Sequence, residues 1–306
     1  MSECVLKTYD IVKIYGGQKV LNQVNMTVNK GDIYGFVGEN GSGKTTIIRI
    51  LSGLIRPNAG SFELFGVKSN DPKIYEVRRK LGAVVESPSI YPALNARDNL
   101  KELSLILGIN DEEKIKKTLE LVGLGSMYDN PKKAVDYSLG MRQRLGIAMA
   151  LLSDAEFMVL DEPLNGVDPE GIVGLRNLIL NLNKEKGITF LISSHILSEL
   201  SLVATKYGII SKGHLLKEIT KEELDAVCKK CIIIDTLEKD KLYEALLTLT
   251  NKENIEETET GYRVFEELNL KALFALLANI EVTNIQTVSS TNIEDYYLSV
   301  IRGGKK

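Results

Sequence analysis

Apolar and polar residues alternate along Val5 to Ile14 and again along Val24 to Val28, a spacing that predicts edge strands. Asp32-Ile33-Tyr34-Gly35-Phe36-Val37 is almost continuously apolar and predicts a buried strand, with a helix following over Ile47 to Leu51. Ser61 to Phe65 reads as a short strand, and Asp71-Pro72 opens a helix ending near Lys80. Leu81 to Val85 is apolar enough for another strand. Asn95 with Asp98 resembles a capping arrangement for a helix to about Leu107, and Asp111 to Leu121 fits a further helix. A long helix with an apolar face spans Leu139 to Leu152. Then come a buried strand over Phe157 to Leu160, a helix over Pro169 to Asn183 and a third buried strand over Ile188 to Ser193. Strands alternating with helices predict a mainly parallel α/β sheet, interrupted by a largely helical block from about Ile74 to Tyr137.

The pattern changes near Thr220, which divides the chain into a first domain over 1–220 and a smaller α+β domain over 221–306. In the second, Cys231 to Thr236 reads as strand and Asp240 to Leu249 as helix. Glu256 to Thr260 and Tyr262 to Glu266 form a hairpin around Gly261. Leu270 to Ala278 is helix, Val282 to Ser289 strand and Asn292 to Ile301 a last helix. The order β-α-β-β-α-β is the ferredoxin-like pattern.

Composition narrows the setting. A chain of 306 residues with 44% hydrophobic and 26% charged residues is an ordinary globular protein of two domains. A net charge of −3 without a long basic run argues against nucleic-acid binding. The first residues lack the charged-then-apolar layout of a signal peptide, and no stretch approaches 18 uninterrupted apolar residues. Three cysteines point to a reducing compartment, so a cytoplasmic protein is expected. Cys228-Lys229-Lys230-Cys231 would need two more ligands for zinc, with Cys4, His195 and His214 the other Cys or His candidates; the lysines between the two cysteines leave a redox role open, but it reads as cysteines at a helix-to-strand junction.

The chemistry concentrates in Gly38-Glu39-Asn40-Gly41-Ser42-Gly43-Lys44-Thr45-Thr46, which fits the P-loop pattern G-x-x-x-x-G-K-[ST] between a strand and a helix. Its glycines let successive N–H groups of Gly38, Asn40, Gly41, Ser42 and Gly43 turn towards an anion, and the helix behind them presents its positive end. Lys44 supplies a charge for the β- and γ-phosphates, Thr45 a hydroxyl for Mg²⁺, and Thr46 continues the cradle. Further along, Phe157-Met158-Val159-Leu160 delivers Asp161 and Glu162 from a buried strand. Asp161 can hold Mg²⁺ through water, and Glu162 can orient or deprotonate the attacking water.

Three further segments extend the pattern. Tyr137-Ser138-Leu139-Gly140-Met141-Arg142-Gln143-Arg144 resembles a signature motif, Leu164-Asn165-Gly166-Val167-Asp168-Pro169 a D-loop, and Ser193-Ser194-His195 a switch histidine at a strand end. With the P-loop and the acidic strand these residues resemble the ATP-binding subunits of ABC transporters over about residues 5 to 220. The resemblance implies a P-loop NTPase of ABC type: a mainly parallel core sheet, an antiparallel β subdomain and a helical subdomain. It implies ATP and Mg²⁺ as cofactors. It also implies a head-to-tail homodimer in which Ser138 and Gly140 of one copy face the γ-phosphate held by the other, with Asp168 positioning the opposing site. His195 would sense the γ-phosphate, and Tyr15 would stack on adenine. His214, in a Gly213 turn, carries no such role.

Two positions depart from the usual family pattern. Glu86, in Ala83-Val84-Val85-Glu86-Ser87-Pro88, stands where a Mg²⁺-touching glutamine is usual, and Leu139 stands where the signature has its first glycine. Both resemble the bacitracin-resistance and lantibiotic-immunity exporters. That likeness implies a motor on the inner face of the cell membrane, driving a separate permease and expelling a peptide antibiotic, with Glu86 to Tyr91 as the coupling surface. Multidrug or lipid export, and a soluble ATP switch, are the alternatives.

Overall fold

The computed structural model describes residues 3–227, 230–265, 268–289 and 293–303. Two compact units, Met1–Lys221 and Glu222–Lys306, make up the chain. The first begins with β1 (Cys4–Tyr15), β2 (Gln18–Val24), β3 (Thr27–Asn29) and β4 (Ile33–Val37), followed by α1 (Lys44–Leu51), β5 (Ala59–Leu64), β6 (Val67–Lys68) and α2 (Ile74–Val77). Then come β7 (Leu81–Val84), α3 (Ala96–Leu107), α4 (Glu112–Leu121), α5 (Leu139–Leu151), β8 (Phe157–Asp161) and α6 (Pro169–Lys186). It closes with β9 (Thr189–Ser194), α7 (Leu197–Ser201), β10 (Lys206–Ser211) and β11 (His214–Thr220). The second unit carries α8 (Lys221–Val227), β12 (Lys230–Thr236), α9 (Lys239–Leu246), β13 (Ile255–Glu257), β14 (Gly261–Val264), α10 (Leu270–Leu277), β15 (Val282–Ser289) and α11 (Ile293–Gly303).

A six-stranded sheet in the order β11-β10-β4-β9-β8-β7 forms the centre of the first unit. All its neighbours run parallel except β11, which returns antiparallel to β10. Every residue of β4, β8 and β9 is buried, as expected of strands covered on both faces. A second, antiparallel sheet of β2, β1, β5 and β6, with β3 beside β1, packs its apolar side into the same core, where Leu6, Leu21, Phe62 and Leu64 meet Phe36 and Ile47.

Sequence signals set the helix starts. Asn95, Asp111, Ser138 and Asp168 each accept a hydrogen bond from the N–H of the residue three further on. Pro169 sits at the first position of α6, and Gly108 and Gly187 end α3 and α6 in the left-handed conformation.

The structure corrects several expected elements. The strand expected over Val24 to Val28 is split, because Asn25 leaves the ladder to exchange side-chain hydrogen bonds with Asp10. The helix expected from Asp71 to Lys80 reduces to one turn plus a 3₁₀ segment. Strands β2, β10 and β11 have no counterpart in the sequence reading. In the second unit the hairpin turn sits before Gly261 rather than around it. Gly261 lies within β14, where a Cβ would stand 1.9 Å from the Ile234 carbonyl oxygen. The sheet order β13-β14-β12-β15, antiparallel throughout, with α9 and α10 as the crossovers, is the expected ferredoxin-like arrangement. Cys231 is buried on β12, while Cys228 and the outer hairpin residue Glu266 lie outside the described residues.

A polar knot ties β10 and β11 to the core. The fully buried Tyr34 hydroxyl donates to Glu218 Oε1 at 2.9 Å, and Lys206 Nζ lies 3.3 Å from the same oxygen. Burial, then the Glu218 charge, hold the Tyr34 phenol well above its usual range, so it stays a neutral donor. Gly208 makes the knot possible, since a Cβ there would fall 2.1 Å from the Tyr34 hydroxyl. Gly208→Ala is therefore expected to destabilise the protein by about 2 kcal/mol through overpacking. Thermal unfolding followed by circular dichroism measures this, and an unshifted midpoint would mean that Tyr34 can swing aside without cost.

Candidate nucleotide site

Strand β4 ends at Val37, and the chain turns over the carboxyl end of the sheet before α1 begins. Gly41 and Gly43 adopt φ of 79° and 110°, which glycine reaches without a Cβ clash. A Cβ on Gly38 would lie 2.4 Å from the Ile210 carbonyl oxygen and 2.5 Å from Ser42 Oγ. The loop is braced from outside: the Gly213 N–H donates to the Ser42 carbonyl at 3.0 Å, and a Cβ on Gly43 would meet Leu21 of β2 at 2.7 Å. Two strands absent from the sequence reading thus hold the loop in shape. His214 follows that glycine turn, touches Asn22 of β2 at 3.1 Å and is not among the residues lining the cavity at the start of α1.

No side chain caps α1, so its first N–H groups point at a cavity of about 180 Å³. Val20, Asn40, Gly41, Gly43, Lys44, Thr45, Thr46 and Glu162 line it. The Ser42 hydroxyl is buried with no hydrogen-bond partner. Lys44 is 5% exposed; its Nζ donates to the Gly38 carbonyl at 2.7 Å and lies 3.2 Å from Glu162 Oε1. An uncapped helix start and a buried ammonium around one small cavity fit a polyphosphate.

The two acids arrive on β8. Its register against β9 sets Asp161 opposite Ser193. The Ser193 hydroxyl donates to Asp161 Oδ1 at 2.5 Å and accepts from the Glu162 N–H at 2.9 Å, so one buried hydroxyl orients both acidic residues. Glu162 turns off the strand at a φ of 48°. Its second oxygen lies 2.7 Å from His195 Nδ1. With Lys44 alongside, the carboxylate is the acceptor and Nδ1 carries the proton. Glu162 therefore joins Lys44 to His195. Ser193 belongs to the Ser193-Ser194-His195 motif, which by itself assigns it no role. The available signal was a polar residue at the end of an apolar strand, and only the register gave it meaning.

Ser138, Gly140 and Asp168 gather elsewhere, around a second cavity of about 310 Å³ that also takes in Gly123, Met141 and Arg144. Ser138 caps α5 by accepting from the Met141 N–H at 3.2 Å, and Asp168 caps α6 by accepting from Gly171. Gly140 lies beside Val167 and Gly171, where a Cβ would make only ordinary contact at 3.4 and 3.5 Å. Leu139, one of the unusual positions, lies against the turn at Gly166, where a Cβ would be 3.4 Å from Leu139 Cδ2.

Two expected residues stand apart from the first cavity. Glu86, at φ 61° just after β7, forms an ion pair with Arg49 on the outer side of α1 and is more than half exposed. Arg49 thus supplies its counter-charge. Tyr15 is 44% exposed at the hairpin between β1 and β2, with Lys13 Nζ 5.1 Å from its ring centre, so it is a surface ring rather than a core tyrosine.

Residues 21–165 match the ABC transporter family model. The chain is 42% identical over 305 residues to the bacitracin transport ATP-binding protein BcrA of Bacillus licheniformis, covering 98% of each chain. The chain belongs to the ABC transporter ATP-binding family. It is an ATPase, the ATP-binding subunit of a transporter, with ATP and Mg²⁺ as cofactors. The lantibiotic transport ATP-binding protein SrtF of Streptococcus pyogenes is 42% identical over 214 residues, 70% of this chain and 90% of that one. A solved ATP-binding cassette of an ABC transporter in its ADP conformation is 28% identical with a TM-score of 0.65, covering 73% of this chain and 94% of that chain. This ABC cassette has the expected P-loop fold.

Ser193→Ala is expected to lower kcat for ATP by about 10- to 100-fold, with the Kd for ATP within about threefold of the wild type, since the hydroxyl orients the acids and not the phosphate cradle. Steady-state turnover and calorimetric titration separate the two effects. An unchanged kcat would show that Asp161 and Glu162 keep their geometry without it.

Proposed function

We propose that this chain is the motor of an exporter for a peptide antibiotic, with residues 1–220 as the motor domain and 221–306 as an accessory domain. The single observation that carries the mechanism is that the P-loop cavity and the Ser138–Asp168 cavity share no lining residue. One chain has two half-sites, and two chains facing head-to-tail complete both.

In this reading Gly38, Asn40, Gly41, Ser42, Gly43 and Thr46 cradle the phosphates of ATP, and Lys44 supplies the buried charge. Thr45 and Asp161 would hold Mg²⁺, which neutralises phosphate charge when bound; Glu86, occupied by Arg49, is left out of that set. Glu162 orients the attacking water and takes its proton. His195 reads the γ-phosphate and steers Glu162 through the Nδ1 contact. Tyr15 offers an exposed ring to adenine. Ser138 and the start of α5 present a second positive helix end to the same γ-phosphate from the other copy, with Asp168 beside it. ATP favours closure because only the closed pair satisfies it from both sides.

Among the described residues no helix is long and apolar enough to cross a membrane. In this reading a separate permease provides the substrate path. The motor sits on the inner face of the cell membrane through that partner. A groove of about 330 Å³ lined by Val85, Ser87, Ser89, Tyr91, Ile106 and Gly146 supports docking beside Glu86 to Tyr91. The names of the relatives above favour bacitracin-like or lantibiotic-like peptides as cargo.

Glu162→Gln is expected to bind ATP and dimerise while turning over at least about 10²-fold more slowly. ATPase assays with size-exclusion chromatography in ATP test this; a wild-type rate removes Glu162 from its role. Cells carrying the chain with its copurifying permease should tolerate bacitracin or a lantibiotic better than cells carrying the Glu162→Gln form. Equal tolerance would refute the peptide cargo.

A further inference from the structure

The segment that leaves β7 is held more tightly than its exposure requires. The Ser87 N–H donates to the Val85 carbonyl at 2.7 Å and closes a three-residue turn with Glu86 at its centre, at a φ of 61°. A turn of this size with a positive φ at a residue other than glycine is rare and strained. Pro88 then sits in a notch of α5, where a Cβ on Gly146 would stand 2.6 Å from Pro88 Cβ. The turn brings the Glu86 carboxylate to Arg49, and the two form an ion pair with both side chains partly in solvent. An exposed pair of this kind contributes little to stability, less than a strained turn costs. Stability therefore does not account for the arrangement. Arg49 belongs to the last turn of α1, the helix that starts with Lys44 and Thr45 at the phosphate loop. Ile47, Ile48, Ile50 and Leu51 of that helix are buried, and the Arg49 carbonyl accepts from the Leu54 N–H at 2.9 Å and the Ile55 N–H at 3.2 Å. Packed in this way α1 moves as a rigid rod, with Arg49 and Lys44 roughly 7.5 Å apart along its axis.

We propose that the Arg49–Glu86 pair carries movement of the permease-facing segment to the phosphate loop, which makes Arg49 a positioning residue for ATP hydrolysis. The inference rests on the reading of Glu86 to Tyr91 as the docking surface. Load on Ser89 to Tyr91 is taken up at Pro88 against α5 and passes through Glu86 to Arg49. Relaxing the strained turn would move the carboxylate off the guanidinium, so the pair exists in one backbone state of the segment and not in the other. A shift at the Arg49 end of a rigid α1 changes where Lys44 and Thr45 stand at its start. The link is made of this chain's own side chains and does not pass through a metal ion. An uncharged amide at position 86 would keep the turn and lose the charge that Arg49 meets.

ATP turnover of the chain alone and of the chain purified with its permease tests the link, read as the ratio of the two rates. In the wild type the permease is expected to raise the rate. Arg49→Met and Glu86→Gln are each expected to lower the ratio by about fivefold or more, with the rate of the chain alone within about twofold of wild type. Arg49→Glu combined with Glu86→Arg re-forms the pair with its charges exchanged and is expected to bring the ratio back to within about twofold of wild type. Circular dichroism checks that each variant folds. A ratio unchanged in either single variant, a charge-swapped variant that stays low, or an equal loss of rate in the chain alone would each overturn the proposal. A wild type that the permease does not stimulate would overturn the docking reading beneath it. A stimulated wild type with indifferent variants overturns the Arg49 link alone, so the two fail separately.

Discussion

The Glu162 carboxylate, held between the Lys44 ammonium and the His195 imidazole, is the interaction on which the nucleotide site depends. Lys44 lies 5% exposed, and a buried ammonium left alone would be costly. Glu162 and the carbonyls of Gly38 and Glu39 satisfy it. The contact also links the ends of three structural elements: the start of α1, the end of β8 and the residue after β9. Any change that moves one of these ends alters the other two. Under the proposed mechanism a γ-phosphate takes the place of the carboxylate beside Lys44, which releases Glu162 to act on water. One charge pair then reports both the presence of ATP and the readiness to cleave it.

That contact exists because the parallel sheet brings three strand ends to one edge. β4 delivers the loop, β8 the acids, and β9 the serine and histidine. Their side chains alternate strictly, so a register slip of one residue would turn Asp161 away from Ser193. Full burial on both faces leaves the three strands no room to slip. The antiparallel strands add a second constraint, since β2 and the turn between β10 and β11 hold the phosphate loop from outside. The Tyr34–Glu218–Lys206 knot in turn fixes β10 and β11 on the sheet. Precision at the loop is therefore maintained well away from it.

Much of this was legible along the chain because phosphate binding is a local demand. A backbone anion cradle needs glycines and a helix start in immediate succession, so Gly38 to Thr46 could be read without any fold. The same holds for the helix caps at Asn95, Asp111, Ser138 and Asp168, each of which serves backbone groups three residues away. The ferredoxin-like order of the second unit was also visible, because strand and helix periods differ over short windows. Strands β10 and β11 escaped notice because charged or glycine-interrupted stretches such as Lys206 to Ser211 look like strands only once β4 lies beside them. Glu86 was expected at the metal by position in a motif; in the fold its carboxylate pairs with Arg49 of α1.

By itself the sequence determined which chemical groups this ABC cassette owns and in what order, because a P-loop, a signature helix start and an acidic strand end are each built from contiguous residues. Tertiary structure decided which groups meet. It set the Ser193 hydroxyl on Asp161, joined Lys44 to His195 through Glu162, and paired Glu86 with Arg49. It also kept the cavity beside Ser138 apart from the P-loop cavity. The physical reason is that these contacts bridge residues dozens to more than a hundred positions apart. Only sheet register and core packing, which no short window encodes, bring such atoms within hydrogen-bonding distance.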